Sequence, residues 1–111
     1  MRRISWIKAA AIAFRDFPLD AQLRCARALE IAAAGEKADI AKPMIGLGAG
    51  VLEIALAFRG DAYRVVYAVQ IGSDLWVVHA FQKKSTRGVG TPQHEVDLIK
   101  DRLKRLKELL G

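Results

Sequence analysis

The stretch VLEIALAFRGDAYRVVYAVQIGSDLWVVHAFQKK, residues 51–84, contains three runs rich in β-branched and aromatic residues. The runs are VLEIALAFR (51–59), AYRVVYAVQ (62–70) and DLWVVHAFQKK (74–84). Short links that contain glycine, Gly60-Asp61 and Gly72-Ser73, separate them, and such links are typical of β-hairpins. The stretch therefore predicts a three-stranded antiparallel meander.

Alternation along the first two runs predicts two different faces for this meander. The apolar face carries Leu52, Ile54, Leu56, Phe58, Tyr63, Val65, Tyr67 and Val69. The opposite face carries Glu53, Ala55, Ala57, Arg59, Arg64, Val66, Ala68 and Gln70. We expect helices to cover the apolar face, and we expect the opposite face to form a shallow groove that contains charge.

The flanking segments predict the remaining elements. A short β-like start, RISWI, precedes two alanine-rich helical segments, residues 8–17 and 18–35, and a loop follows over residues 36–50. Thr91 is a plausible N-cap and Pro92 a first helical residue for an amphipathic C-terminal helix. The order predicts an α+β fold in one domain over residues 1–111: N-terminal strand, two-helix hairpin, three-stranded antiparallel meander and C-terminal helix.

Composition narrows the class of protein. The apolar runs are too short to span a bilayer, and Lys8, Arg15 and Asp16 interrupt the N-terminal one, so we expect a soluble, cytoplasmic chain without membrane contact. The single cysteine, Cys25, lies among apolar residues of a helical segment and predicts a buried structural thiol.

The net charge of +6 is concentrated near the C-terminus. Residues 83–111 hold eight Lys or Arg and four Asp or Glu, whereas residues 1–82 hold ten and eight. This asymmetry favours a polyanionic partner, and nucleic acid is the first candidate.

The motifs of metal and nucleophile enzymes are missing from the sequence. The chain has two histidines, His79 and His94, and no H-x-x-x-H, C-x-x-C or G-x-S-x-G spacing. We therefore expect no metal site and no cofactor.

Five segments together resemble the phage-related Gp49-like branch of the HigB toxins, within the RelE/ParE superfamily of type II toxin–antitoxin systems. They are KPM (42–44), GVLEI (50–54), YRVVYAV (63–69), VVHAFQKKS (77–85) and TPQHEVDLIKDRL (91–103). The resemblance implies a RelE-like fold and a small cytoplasmic toxin that cuts mRNA at the ribosome. It also implies a cognate antitoxin, often a helix-turn-helix protein. In such a reaction the ribose 2′-OH is the nucleophile, so cleavage needs positioning, cationic stabilisation and proton transfer but no metal.

The resemblance assigns roles to specific residues. Arg64 matches the arginine of the family's Y-R-V-x-Y strand and would hold the scissile phosphate; alternatively it is a cross-strand partner of Glu53. Lys83 and Lys84 match the family's basic pair, as a transition-state clamp or leaving-group acid; alternatively they are a solvated strand end.

Three further residues complete the predicted site. Arg59 and Arg87 would hold neighbouring RNA phosphates, and each is equally well read as a surface charge. His79 could transfer protons at neutral pH, although a lone histidine between Val78 and Ala80 is more often a hydrogen-bonded, partly buried residue.

One feature departs from the family pattern. Relatives often carry basic residues where this chain has Ala55 and Ala57. The chain is then a toxin that relies on its remaining cations, a slow one, or one that has lost cleavage. A non-enzymatic toxin that binds gyrase or another protein, and a plain RNA-binding module, are the alternatives.

Overall fold

The meander predicted from residues 51–84 forms the centre of a five-stranded sheet in the computed structural model, which describes residues 1–83 and 90–110. The elements in chain order are β1 (Ile4–Trp6), α1 (Lys8–Arg15), α2 (Leu19–Ala33), β2 (Ala41–Pro43), β3 (Val51–Phe58), β4 (Asp61–Ala68), β5 (Leu75–Lys83) and α3 (Gln93–Leu110). This order confirms the predicted α+β fold. No helix in the described parts of the chain is both long and apolar enough to cross a bilayer.

The sheet has the spatial order β1-β5-β4-β3-β2. β3, β4 and β5 are antiparallel neighbours, and β1 joins the edge of β5 in parallel. β2 pairs with β3, with Lys42 opposite Glu53, inside the segment that the sequence predicted to be a loop. Its three residues end at Pro43, and proline is compatible with an edge strand because it needs no ladder partner for a backbone N–H.

The turn between β3 and β4 lies one residue earlier than predicted. Phe58 is opposite Asp61, so the two-residue loop is Arg59-Gly60. Both loop residues have positive φ, 53° for Arg59 and 84° for Gly60, as the tight turn of a twisted hairpin requires. This turn carries the Arg59 side chain out of the strand alternation.

The helical hairpin covers one face of the sheet, as predicted. Ala21, Cys25 and Leu29 of α2 are buried in the same core cluster as Ile54 and Val65 of the sheet. Cys25 is fully buried, and burial raises the pKa of its thiol to about 11, which fits the predicted structural role.

Helix α2 ends just before Gly35, the residue at which the sequence predicted the second helical segment to end. Gly35 has a φ of 93°, and its N–H donates to the carbonyl of Ala32 while the N–H of Glu36 donates to that of Ile31. These two bonds form a Schellman C-cap, a conformation that glycine adopts without strain.

The C-terminal helix lies on the opposite face of the sheet. Ile99, Leu103 and Leu106 of α3 are buried in a second core cluster together with Val66 and Val78. The expectation that all helices share one face, leaving an open groove on the other, is therefore wrong. The small residues that suggested a groove form an apolar strip, and the apolar stripe of α3 buries itself against it.

Candidate functional site

Arg64 lies in a polar cluster at the border of the surface that α3 covers. Its Nη1 donates to Glu53 Oε1 at 2.8 Å, and the hydroxyl of Thr91 donates to Glu53 Oε2 at 2.7 Å. The strand register explains the ion pair, because Arg64 is opposite Ala55 and so reaches Glu53 diagonally. We call Glu53, Arg64 and Thr91 the Glu53 cluster; it joins β3, β4 and the segment just before α3.

The carboxylate at the centre of this cluster is fully enclosed. The Glu53 side chain is 2% exposed, and its two oxygens accept from a guanidinium and a hydroxyl. Thr91 was predicted to cap α3; the helix instead begins at Gln93, where the N–H groups of Glu95 and Val96 donate to the carbonyl of Pro92. The Thr91 hydroxyl therefore donates to Glu53 and does not cap the helix.

Arg64 does not use all of its hydrogen-bond donors. Its side chain is 13% exposed, and its Nε is buried without a hydrogen-bond partner among residues 1–83 and 90–110. A guanidinium has five N–H donors, and an unmatched buried donor costs about 1–3 kcal/mol. Arg64 is therefore a charge held in place by Glu53, and the exposed 13% of its side chain is the part that an anionic oxygen can reach.

His79 lies in a second polar cluster on the same face, between β5 and α3. Its Nε2 is 2.9 Å from Glu95 Oε1, and its Nδ1 is 2.8 Å from Arg102 Nη1. Arg102 Nη1 also donates to the carbonyl of Val78 at 3.0 Å. We call Glu95, His79 and Arg102 the His79 cluster.

The partners of His79 determine its protonation. A guanidinium can only donate, so Nδ1 must accept from Arg102, and the ring proton on Nε2 donates to Glu95. Burial lowers the pKa of His79, and the positive charge of Arg102 lowers it further, against the opposing effect of Glu95. His79 is 5% exposed, and the lone pair of its neutral ring already accepts from Arg102.

A β-bulge gives His79 this position. Val66 is opposite His79 and Tyr67 is opposite Val77, so Val78 is an extra residue in β5. Val78 joins the core cluster under α3, and the neighbouring His79 meets Glu95 and Arg102 of the same helix. The bulge therefore aims two successive residues at α3.

Of the other predicted site residues, the structure describes Lys83 and Arg59. Lys83 ends β5 opposite Ala62 and is half-buried. Arg59 is exposed at the hairpin tip, with its guanidinium 5.0 Å from the centre of the Phe58 ring, whose core contacts are on the α2 side of the sheet. Lys84 and Arg87 lie outside the described residues. The catalytic and RNA-binding roles of all these residues stay predictions.

Sequence reasoning missed Glu95 and Arg102. They are seven residues apart on α3, two helical turns, and therefore lie on one side of the helix. That spacing was the available signal, but which strand the pair would meet depends on packing. Within the described residues, no three His, Cys, Asp or Glu side chains lie together as a potential metal site.

The fold and the two clusters define a small α+β domain with a helical hairpin on one face of its sheet and a single helix on the other. A family model described as Phage derived protein Gp49-like (DUF891) matches residues 13–104, and the chain belongs to this family. The match extends from α1 into α3 and confirms the resemblance seen in the sequence. The family is often associated with toxin–antitoxin modules. Comparisons with curated proteins and with solved structures gave no match.

Proposed function

We propose that the chain is the toxin of a type II toxin–antitoxin system, and that it acts as a metal-independent endoribonuclease on mRNA at the ribosome. The observation that carries the proposal is Arg64: a guanidinium oriented by a buried carboxylate at 2.8 Å, with 13% of its side chain open to solvent. Membership of a family often associated with toxin–antitoxin modules supplies the biological setting.

In the proposed reaction the ribose 2′-oxygen bonds to the adjacent phosphorus, and the bond from phosphorus to the 5′-oxygen breaks. The 2′-hydroxyl loses its proton and the 5′-oxygen gains one, which leaves a 2′,3′-cyclic phosphate and a 5′-hydroxyl. Arg64 would donate to a non-bridging oxygen, whose charge grows in the transition state. Lys83, at the end of β5, and Lys84 would add positive charge or protonate the 5′-oxygen.

His79 takes no part in proton transfer in the proposed reaction. Nδ1 could accept a proton only if Arg102 left its 2.8 Å contact with this atom. Nε2 already carries the ring proton, which it donates to Glu95. We assign His79 to the docking of α3 against β5.

A non-enzymatic toxin that inhibits a protein target is the second candidate. The uncharged Ala55 and Ala57 favour it, since Ala55 is directly opposite Arg64 and Ala57 is exposed beside it on β3. Neither residue can act as a base or a clamp.

Induction of the chain in bacterial cells, followed by mapping of RNA 5′ ends, separates the two candidates. The endoribonuclease predicts growth arrest and new 5′-hydroxyl ends inside translated reading frames. Growth arrest without new RNA ends would favour the protein-binding toxin, and absence of arrest would contradict both.

A further inference from the structure

A groove that the proposed reaction does not use runs between α1 and α3. Its apolar walls are formed by Ile7 and Ala9 on one side and by Leu98, Leu106 and Leu109 on the other. It shares no residue with the Glu53 cluster, so a ligand in this groove can bind without touching Arg64.

The α3 wall of the groove exposes leucine beyond what the core requires. Leu109 is 81% exposed and Leu98 is 38% exposed, whereas the helix docks on the sheet through other positions. Residues 98, 102, 105 and 109 lie along one flank of the helix at spacings of four, three and four. The flank reads Leu-Arg-Arg-Leu over about 16 Å, at roughly 1.5 Å per residue. Large apolar side chains exposed along a groove mark an interaction site.

The polar residues of the groove specify the charge of its ligand. Arg102 and Arg105 line the groove between the two exposed leucines. Asp101 also lines the groove and pairs with Arg105 at 3.3 Å, but both side chains are exposed, and such pairs contribute little. Arg105 can therefore exchange Asp101 for a carboxylate on a partner, and the excess positive charge favours an acidic one.

We propose that this groove binds an acidic amphipathic helix of a partner protein. Apolar side chains of that helix pack on Leu98 and Leu109, and its Asp or Glu residues meet Arg105. Identifying the partner as the neutralising antitoxin rests on the proposed function. An antitoxin bound here would dock away from Arg64, instead of covering the cationic site.

The test uses the protein encoded by the reading frame adjacent to this gene, purified and titrated into the full chain by calorimetry. Arg105→Glu and the double variant Leu98→Ser/Leu109→Ser each weaken binding by about tenfold or more, the range of interface anchors. The matched control is Lys104→Glu, the same charge reversal at the neighbouring exposed position outside the groove, and it changes affinity by less than about threefold. Circular dichroism checks that each variant is folded.

Three results would overturn the inference: no binding by the adjacent gene's product, equal binding by wild type and the groove variants, or equal loss in the Lys104→Glu control. The other possible occupant of the groove is a second copy of this chain. Sedimentation of the chain alone tests for it, because a dimer that Leu98→Ser/Leu109→Ser dissociates would place that copy in the groove. Growth arrest by the chain without its partner is scored separately and should be equal for wild type and Arg105→Glu. Absence of arrest would sink the proposed function and leave the binding result intact.

Discussion

The Glu53 cluster and the His79 cluster lie on the same face of the sheet, yet they differ in hydrogen-bond saturation. Both ring nitrogens of His79 have partners, and one Arg102 nitrogen contacts both the imidazole and a backbone carbonyl. In Arg64, by contrast, Nη1 donates to Glu53, whereas the buried Nε has no hydrogen-bond partner among the described residues. A fully hydrogen-bonded buried network stabilises a structure, whereas a buried donor without a partner is one mark of a functional site. We therefore propose that the His79 cluster docks α3 and that Arg64 binds the ligand.

Removal of Glu53 should produce the largest loss of stability. Glu53→Ala leaves the Arg64 guanidinium with 13% exposure and no counter-charge, and breaking a buried pair in this way costs about 3–5 kcal/mol. Urea unfolding measures the change, with the exposed Glu36→Ala as the control, which should shift stability by less than about 0.5 kcal/mol. A loss below about 1 kcal/mol for Glu53→Ala would show that the carboxylate does not anchor Arg64.

Removal of His79 should cost less, because each lost contact is a hydrogen bond and not an ion pair between permanent charges. His79→Ala deprives Glu95 and Arg102 of one partner each and should destabilise the protein by about 2 kcal/mol. The chain offers a matched control in His94→Ala, since His94 is exposed and 3.8 Å from the other oxygen of Glu95. Equal unfolding midpoints for the two variants would remove His79 from the docking of α3.

The His79 cluster should also make stability depend on pH. The folded protein lowers the pKa of His79 through burial, so below about pH 6.5 the unfolded chain binds more protons than the folded one. Stability is therefore complete above pH 6.5 and is lost as the pH falls through the lower folded pKa. The slope from this group is at most about 1.4 kcal/mol per pH unit.

Unfolding free energies of wild type and His79→Gln between pH 5 and 8 isolate this contribution, because His94 is present in both. The wild type should lose stability more steeply on acidification than the variant. Parallel curves would mean that the imidazole is not held neutral.

Local patterns in the sequence predicted the parts of the fold that depend on neighbouring residues. Alternation of apolar residues and the glycine links were enough to predict β3, β4 and β5. Apolar residues at helical spacing, followed by Gly35, were enough to predict α2. β2 escaped prediction because three residues show no periodicity and the strand exists only by pairing with β3. The hairpin turn shifted by one residue because Arg59, an uncommon residue at positive φ, occupies it.

The sequence predicted only those contacts of the site that follow from the pairing of the strands. The contact between Arg64 and Glu53 was one of the two predicted alternatives, since both residues belong to the meander. Thr91, Glu95 and Arg102 enter the site because α3 packs on that face, and the sequence did not specify which face α3 would choose. Small residues such as Val66 and Ala68 fit a groove floor and a helix-packing surface equally well.

The central claim is that Arg64 binds phosphate, and a charge-neutral double variant tests it most directly. Glu53→Gln/Arg64→Gln removes both members of the buried pair and leaves the net charge at its wild-type value. Asp101→Asn/Arg105→Gln does the same to the exposed pair on α3 and is the matched control. The measurement is the affinity of each protein for a single-stranded RNA oligonucleotide over a series of salt concentrations. We predict that the Glu53/Arg64 variant folds, binds more weakly and loses about 0.7 from the slope of log K against log salt, the value for one phosphate contact, while the control keeps the wild-type slope. Identical affinity and slope in all three proteins would contradict the account and leave Arg64 as the structural partner of Glu53.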